Sequence, residues 1–219
     1  MDRELLLTED GSHTVYVHGL EEPYHSIHGA VQESIHVFIR QGFESAGKSA
    51  LSILEIGLGT GLNVILSLAS ALRNKYEVYY HAVEKYPLLP SEYTKLNFEE
   101  FISGLPPGVV KKLHEAPWET RFNLSEGFEV YKEHSDFRAM NPQNQFDLVY
   151  FDAFAPDKQP ELWSEAIFLK IAGLMNAGGI LVTYSSKSSV RKALNSCGFN
   201  VTKVSGPPGK REMIRALKR

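Results

Sequence analysis

Three glycines at alternate positions, Gly57, Gly59 and Gly61, constrain the fold more than any other stretch of this 219-residue chain. The apolar run 51–56 before them predicts a buried β-strand, and apolar residues recur at helical spacing over 62–69. A strand that turns directly into a helix leaves the first helical N–H groups available to a polar or anionic ligand. Because glycine lets the backbone approach a ligand closely, this stretch predicts a ligand-binding turn.

The spacing of the glycines distinguishes between nucleotide cofactors. A dinucleotide-binding fingerprint requires a third Gly or Ala at the position that Leu62 occupies here. The observed form is an acidic residue, Glu55, followed by three alternating glycines, and it resembles motif I of the class I S-adenosyl-L-methionine (SAM) methyltransferases. This resemblance implies a SAM site that includes Glu55, the three glycines and Asn63.

Two further acidic residues follow predicted strands. Glu84 ends the strand at 78–83, where a βαβ nucleotide-binding fold places a carboxylate on the ribose hydroxyls, and Lys85 comes next. We expect both residues in the cofactor site, although a lone Glu at a strand end is more often solvated. Asp136 follows the strand at 128–134, and in the SAM fold a residue at this place contacts the adenine amino group. An N-cap of a helix is an equally good interpretation of Asp136 from spacing alone.

Asp152 ends a fourth apolar strand at 146–151. In doubly wound sheets, ligands lie at the carboxyl ends of the strands, at the switch point between the first and fourth strands. Asp152 is therefore predicted beside the glycine loop, facing the reacting centre. The loop after it contains Phe154, Pro156, Lys158 and Trp163. Its aromatic rings suit a stacked base, but an aromatic pair near a helix is more often part of a hydrophobic core.

The remaining segments complete an α/β fold. Residues 5–17 predict a β-hairpin, a helix from Ala30 is a candidate lid, and 87–101 and 109–118 are predicted as one helix each. Strands at 178–184, 199–204 and 212–217 follow. We predict the class I SAM methyltransferase fold: a Rossmann-like, seven-stranded sheet with a final antiparallel hairpin, plus an N-terminal β-hairpin and helix. One domain is expected over 1–219, with an extension at 1–46 and the core at 47–219.

Charge is distributed unevenly along the chain. The whole chain has a net charge of −3, but 185–219 contains nine basic residues and one acidic residue. Such asymmetry favours a polyanionic partner, and the alternative is a solvated basic surface. The sequence contains neither a C-x-x-C nor an H-E-x-x-H motif, and no metal site is expected. No apolar run approaches ~18 residues and no secretory signal begins the chain, so a cytoplasmic, non-membrane protein is expected.

Four stretches together resemble the methyltransferase domain of the MnmC-type family, which makes 5-methylaminomethyl-2-thiouridine at the wobble position of certain tRNAs. The stretches are Tyr24-His25-Ser26 with Gly29-Ala30 and Glu33-Ser34, the glycine loop at 55–61, the block at 152–163, and Gly209-Lys210-Arg211-Glu212-Met213. The block at 152–163 is the most specific, because methyltransferases in general vary most at that loop. One departure is Ala153, which stands where the family often has Gly.

The resemblance assigns roles to residues of this chain. It implies SAM as cofactor, bound by Tyr24, Ser26 and Glu33 in addition to the residues above. Asp152 is expected to orient the substrate amine and take its proton. A uridine pocket is expected at Phe154, Pro156, Lys158 and Trp163, and contacts to phosphates of the tRNA anticodon stem-loop at Lys187, Lys210 and Arg211.

The reaction implied is N-methylation of the 5-aminomethyl group of uridine or 2-thiouridine. The bifunctional bacterial enzyme carries a C-terminal flavin-dependent oxidase, whereas this sequence ends at Arg219. We therefore expect methyl transfer alone, with a separate enzyme supplying the aminomethyl-uridine.

Three alternatives remain at this point. An aminopropyltransferase of the spermidine synthase type shares the fold and an Asp followed by an aromatic-Pro loop, but does not need a basic C-terminal segment. A SAM methyltransferase that acts on a protein or another small amine is also compatible with these residues. A cofactor-binding scaffold without chemistry is disfavoured, because Glu55, Glu84, Asp136 and Asp152 are all present at their positions.

Overall fold

The computed structural model describes residues 1–140 and 144–219, and its first 23 residues form a small antiparallel sheet. This sheet consists of β1 (Arg3–Leu7), β2 (His13–Val17) and β3 (Glu22–Pro23). The predicted N-terminal hairpin is therefore confirmed, with Leu5 opposite Val15 in its register. The third strand returns along β2 and leads into the segment that carries Tyr24.

A mixed eight-stranded sheet forms the rest of the β-structure. Its strands are β4 (Ala50–Ile56), β5 (Glu77–Glu84), β6 (Arg121–Ser125), β7 (Phe128–His134), β8 (Phe146–Phe151), β9 (Met175–Thr183), β10 (Phe199–Ser205) and β11 (Glu212–Lys218). The strand order is β10-β11-β9-β8-β4-β5-β7-β6, and the five central strands β9, β8, β4, β5 and β7 are parallel. Because β4 lies between β5 and β8, the chain reverses its direction of progress across the sheet there, which creates the predicted switch point. The predicted fold class is confirmed.

Helices cover both faces of this sheet. They are α1 (Ala30–Ser34), α2 (Leu62–Asn74), α3 (Pro90–Tyr93), α4 (Phe98–Phe101), α5 (Val109–Glu115), α6 (Glu165–Leu174) and α7 (Ser188–Ser196). Successive side chains of a strand point to opposite faces, so β4 contributes Ile53 to one buried cluster, with α2 and α5, and Leu54 to another, with α6 and α7. Within the described residues, no helix is both long and apolar enough to cross a membrane.

The sheet has eight strands where the sequence predicted seven. The additional strand, β6, pairs antiparallel with the edge of β7 through a turn at Gly127, whose φ is +70°. An edge strand of five residues buries one side only, with Leu124 its one fully buried side chain, so its apolar signal is weak. The helix predicted at 109–118 ends earlier, at Glu115.

The prediction of one helix over 87–101 is wrong. Two short helices, α3 and α4, occupy this range, and Asn97 lies at their junction. The Asn97 side chain accepts a hydrogen bond from the His13 N–H at 2.9 Å and donates to the Gly11 carbonyl at 3.0 Å. These bonds to the N-terminal hairpin hold Asn97 in a conformation that interrupts a continuous helix.

The predicted lid helix begins at Ala30 and changes its winding. After α1 it continues as a π-helical segment, Ile35–Phe43, followed by a short 3₁₀ turn, Glu44–Ala46. Val31 and Phe38 are buried, and the acidic Glu33 is buried with them. Glu33 can be buried because the Ser26 N–H and the Lys210 ammonium group pair with its carboxylate.

One carboxylate fixes the N-terminal sheet to α1. Oδ1 of Asp10 accepts hydrogen bonds from the Thr8 hydroxyl at 2.8 Å and the Ser12 N–H at 3.0 Å, and Oδ2 accepts from the Gln32 N–H at 3.1 Å. Burial alone would raise the pKa of Asp10, but the hydrogen bonds from Ser12, Thr8 and Gln32 hold it below its usual value. Asp10 thus stabilises the hairpin turn and the first turn of α1 together.

Replacing this carboxylate tests its contribution to stability. Asp10→Ala is expected to lower the free energy of unfolding by about 1–3 kcal/mol in urea denaturation at neutral pH, because it leaves buried donors unpaired. The pKa of Asp10 is lowered by folding, so its stabilisation is present above the ordinary pKa and is lost as the pH falls through the lower, folded value. The difference from wild type should therefore shrink in acid. The exposed Asp2 provides a matched control, Asp2→Ala. Equal stability of Asp10→Ala and wild type at neutral pH would contradict this role.

Candidate active site

The carboxyl ends of the central strands border a cavity of about 610 Å³. Thirteen predicted site residues line it: Tyr24, Ser26, Glu33, Gly57, Gly59, Asn63, Glu84, Lys85, Asp136, Asp152, Phe154, Lys158 and Lys210. Six predicted residues do not line it: Glu55, Gly61, Pro156, Trp163, Lys187 and Arg211. Among residues 1–140 and 144–219, no group of three or more His, Cys, Asp or Glu side chains is arranged to hold a metal ion.

The glycine loop lies against its neighbours so closely that side chains would not fit. Gly57 and Gly59 have positive φ angles of 96° and 51°. A Cβ on Gly57 would lie 2.6 Å from the carbonyl oxygen of Asp152, and one on Gly59 would lie 2.9 Å from the ring of Tyr24. The Gly57 N–H donates to the Val83 carbonyl at 3.0 Å, which holds the loop against the end of β5. Glycine is therefore required at both positions for conformation and for space.

Two histidines that were not among the predicted site residues, His25 in the cavity wall and His114 outside it, hold the same loop. His25 Nε2 lies 3.4 Å from the Thr60 hydroxyl, and His114 Nε2 donates to the Thr60 carbonyl at 3.0 Å. Burial lowers the pKa of each imidazole to about 4, so both rings are neutral at physiological pH. Gly61 begins α2 beside them, where a Cβ would lie 2.6 Å from Leu113. Gly61 does not line the cavity, and its role is to let the loop pack against Leu113.

Glu84 lies at the end of β5 with its carboxylate directed back to the glycine loop. Its Oε2 accepts a hydrogen bond from the Gly59 N–H at 2.9 Å, and its Oε1 accepts from the Tyr86 N–H at 2.7 Å. A carboxylate has about four acceptor sites, so these two bonds orient the group and leave capacity for two donors of a ligand. This geometry suits the vicinal hydroxyls of a ribose.

Asp136 lies across the cavity mouth, held by two cations. Arg138 donates to both carboxylate oxygens, at 2.9 Å from Nε and 2.6 Å from its terminal nitrogen, and the Lys85 ammonium lies 3.1 Å away. The side-chain hydrogen bonds from Arg138 hold the pKa of Asp136 well below its usual range; burial opposes them, and the hydrogen bond from Lys85 lowers the pKa further. Asp136 is therefore an ionised acceptor, and Lys85 acts on it directly.

The side chain of Asn63, in the first turn of α2, connects two acids at the floor of the cavity. Its Nδ2 donates to Glu55 Oε1 at 2.8 Å and to Asp152 Oδ2 at 2.9 Å. Burial raises the pKa of Glu55 well above its usual value, and the charge of Asp152 raises it further. Burial, followed by the charge of Glu33, raises the pKa of Asp152 to about 7. Glu55 does not reach the cavity, and its role is to support Asn63 from below.

Glu33 and Lys210 close the roof of the cavity, although they are far apart in sequence. Glu33 Oε2 accepts from the Ser26 N–H at 2.6 Å, and its Oε1 lies 2.7 Å from the Lys210 ammonium. The Lys210 ammonium also lies 4.2 Å from the centre of the Tyr184 ring. Lys210 was predicted to contact an RNA phosphate, and in the structure its ammonium group is paired with Glu33 at the cavity.

The loop after Asp152 presents one aromatic ring to the cavity and buries another. Phe154 lines the cavity and packs edge-on against Tyr24, with 5.2 Å between ring centres. Trp163 was expected to shape a uridine pocket directly, but its side chain is buried and its Nε1–H donates to the Phe154 carbonyl at 2.8 Å. Trp163 thus positions Phe154. Lys158 lies at the cavity edge, 3.6 Å from Glu21, whereas Pro156 does not reach the cavity.

Two predicted RNA contacts lie on the surface outside the cavity. Lys187 is exposed and forms an ion pair with Asp157, which lies in the loop after β8. Arg211 is exposed next to Lys210, on the loop between β10 and β11. Neither side chain lines the cavity.

Comparison with known proteins agrees with this geometry. Residues 119–219 match the family described as S-adenosyl-L-methionine-dependent methyltransferase. The tRNA 5-methylaminomethyl-2-thiouridine biosynthesis bifunctional protein MnmC of Marinomonas sp. (strain MWYL1) is 32% identical over 223 residues, which cover 94% of this chain and 32% of that protein. The chain therefore spans about a third of the length of the curated relatives that it matches.

Solved structures show the same relationship. The crystal structure of MnmC2 from Aquifex aeolicus superposes with a TM-score of 0.78 at 29% identity, over 98% of this chain and 70% of that one. Spermidine synthase from Thermotoga maritima superposes with a TM-score of 0.59 over 99% of this chain and 68% of that one, but at 10% identity it shows the fold alone. The chain therefore has the fold of the class I SAM-dependent methyltransferases, and it is similar in sequence to MnmC proteins over most of its length.

Proposed function

We propose that this chain catalyses SAM-dependent N-methylation of the 5-aminomethyl group of uridine or 2-thiouridine at the tRNA wobble position, giving the 5-methylaminomethyl form. The observation that carries the proposal is the position of Asp152. Its backbone lies directly against Gly57 of the glycine loop, and its carboxyl group lines the cavity. A proton acceptor beside the cofactor loop is what an amine nucleophile requires. The names of the sequence relatives supply the tRNA substrate.

The residues present fit SAM. Gly57 and Gly59 leave backbone exposed to the cavity, and Glu84 retains acceptor capacity for ribose hydroxyls. Oδ1 of Asn63 is buried and accepts no hydrogen bond from any described residue, which makes it an acceptor for a ligand donor. Asp136 would accept from the adenine amino group. The cofactor site then includes Tyr24, Ser26, Glu33 and Lys85 as lining residues.

The chemistry assigned to Asp152 follows from the nature of the nucleophile. When bound, SAM supplies an electrophilic methyl group on a sulfonium. A primary alkyl amine has a reference pKa near ~10, so it arrives as an ammonium ion and must lose a proton before it can attack. With its pKa raised to about 7, the Asp152 carboxyl is an effective general base near neutral pH. The Asn63 amide fixes the orientation of the carboxylate that receives the proton.

Binding of the tRNA is assigned to the surface beside the cavity. Lys187, Lys192 and Arg211 are exposed on the C-terminal segment and suit salt-dependent contacts with phosphates of the anticodon stem-loop. Phe154 and Lys158 line the cavity. They suit a uridine that has left the base stack of a tRNA in the cytoplasm. The extension at 1–46 acts as the lid over this site, because it supplies Tyr24 and Glu33.

An aminopropyltransferase of the spermidine synthase type is not favoured. Likeness to that enzyme extends to the fold at 10% identity, whereas the MnmC relatives are about three times as similar in sequence. The two functions differ in the molecule that accepts the transferred group, which is a tRNA in one case and a small diamine in the other. A small diamine would not need the exposed basic residues of 185–219.

The central prediction concerns the product. An anticodon stem-loop that carries 5-aminomethyl-uridine is expected to gain one methyl group on that nucleoside when incubated with the protein and SAM, as measured by nucleoside mass spectrometry. The matched control is the same stem-loop with unmodified uridine, which lacks the amine. Absence of methylation while calorimetry shows bound SAM would refute the substrate and retain the cofactor.

Asp152→Asn tests the proton acceptor. The amide is isosteric and still accepts from Asn63, so SAM affinity should remain while kcat falls by about 10²–10⁴-fold. In the wild type, the rate should fall as the pH drops below about 7, because Asp152 then becomes protonated. Asp157→Asn on the exposed part of the same loop is the control, with unchanged kcat. Full activity of Asp152→Asn would remove this residue from proton transfer.

Gly57→Ala tests the glycine cradle. The added methyl group meets the Asp152 carbonyl and forces a positive φ on a residue with a side chain, so SAM affinity should fall roughly tenfold or more, equivalent to about 1.4 kcal/mol. Isothermal titration measures the affinity, and circular dichroism checks the fold. Gly173→Ala in α6 is the matched control, since its Cβ meets open space and its affinity should equal wild type. Wild-type affinity in Gly57→Ala would place the cofactor elsewhere.

A further inference from the structure

Lys210 has an environment unlike that of a residue that binds phosphate. A side chain that contacts RNA backbone presents its ammonium group to solvent. The Lys210 side chain is 36% exposed, but its ammonium group lies 2.7 Å from Glu33 Oε1, whose side chain is only 9% exposed. It also lies over the ring of Tyr184 at 4.2 Å, within the range of a cation–π interaction. The contacts of Lys210 thus belong to the cavity wall.

The backbone of the β10–β11 loop holds Lys210 in this position. The Lys210 N–H donates to the Pro207 carbonyl at 2.9 Å, and the Gly206 N–H donates to the Arg211 carbonyl at 3.2 Å. Gly209 has a φ of +82°, and a Cβ there would lie 2.5 Å from His28. The loop is therefore internally bonded and packed against the N-terminal segment, which directs the Lys210 side chain inward.

The titratable groups that face Asp152 come from four parts of the chain. Glu33 of α1 and Glu55 of β4 are acidic, Tyr184 follows β9, and Lys210 comes from the β10–β11 loop. Behind them, Glu84 acts on Glu55, and Glu22 of β3 also faces Lys210. Glu33 and Lys210 act on Asp152 with opposite signs. Without the lysine, Glu33 would be an unpaired carboxylate in the same cavity.

We propose that Lys210 is a positioning residue of the active site, which occupies Glu33 so that the substrate ammonium is directed to Asp152. This inference rests on the proposed function in one respect, that the substrate is an amine. Two free carboxylates in one cavity would compete for an incoming ammonium ion, and only the one beside the glycine loop is productive. The ion pair with Glu33 removes that competition, and RNA phosphates are left to Arg211 and its exposed neighbours.

The test uses three variants of the full chain: Lys210→Met, Lys210→Arg and Glu33→Gln. Carbon-13 NMR of the Asp152 carboxyl in the substrate-free protein measures its titration midpoint. Lys210→Met should move the midpoint upward by about one pH unit or more, since a nearby positive charge is lost. Lys210→Arg should restore the wild-type midpoint, and Glu33→Gln should move it downward. In methylation assays, Lys210→Met should raise the KM for the amine substrate and shift the acid limb of the rate profile in the same direction as the midpoint.

Arg211→Met is the matched control on the same loop. It should lower the affinity for the stem-loop and its salt dependence while the Asp152 midpoint stays at the wild-type value. The inference is overturned if Lys210→Met leaves the midpoint unchanged and weakens RNA binding as Arg211→Met does. Should Lys210→Met fold poorly, an unchanged midpoint in Glu33→Gln overturns it equally. Midpoints that move as expected in a protein that methylates no aminomethyl-uridine would support the charge arrangement and refute the proposed substrate.

Discussion

Two carboxyl groups, one lining the cavity and one beneath its floor, share one amide nitrogen, and the rest of the site depends on this contact. Nδ2 of Asn63 donates to Glu55 at 2.8 Å and to Asp152 at 2.9 Å. Two acids held so close in a desolvated place do not both ionise readily. Glu55 is fully buried, and burial followed by the charge of Asp152 raises its pKa well above the usual value. Asp152, which reaches the cavity, is the acid that ionises near neutral pH.

The shared amide also links the acids to the glycine loop. Asn63 lies in the first turn of the helix that Gly61 begins, and β4 and β8, which carry Glu55 and Asp152 at or just after their ends, are neighbours in the sheet. Any shift of the loop would therefore move the amide relative to both carboxyls. Neutral His25 and His114 oppose such a shift by holding Thr60. The site is preorganised by hydrogen bonds from secondary-structure elements rather than by mobile side chains.

The sequence predicted features that depend on neighbouring residues better than features that depend on residues far apart in the chain. The glycine turn, the seven strands and the acids at their ends follow from local periodicity and from the topology of doubly wound sheets. The features that were missed depend on distant partners: Asn97 bonds to His13, 84 residues away, and Lys210 to Glu33, 177 residues away. Trp163 looked like a binding surface because residue type does not reveal burial.

The basic C-terminal segment shows why a count of charges is a weak guide to a binding surface. Lys203 pairs with Glu212, Lys210 with Glu33, and the Lys218 ammonium donates to the Met175 carbonyl. These cations are committed to the protein itself, so they contribute less to a polyanion site than the sequence implies. Exposed cations include Lys192 on α7 and Arg211 on the β10–β11 loop, and that loop also lines the cavity through Lys210. An anticodon loop that delivers one unstacked base into the cavity would bring its phosphates to this same surface.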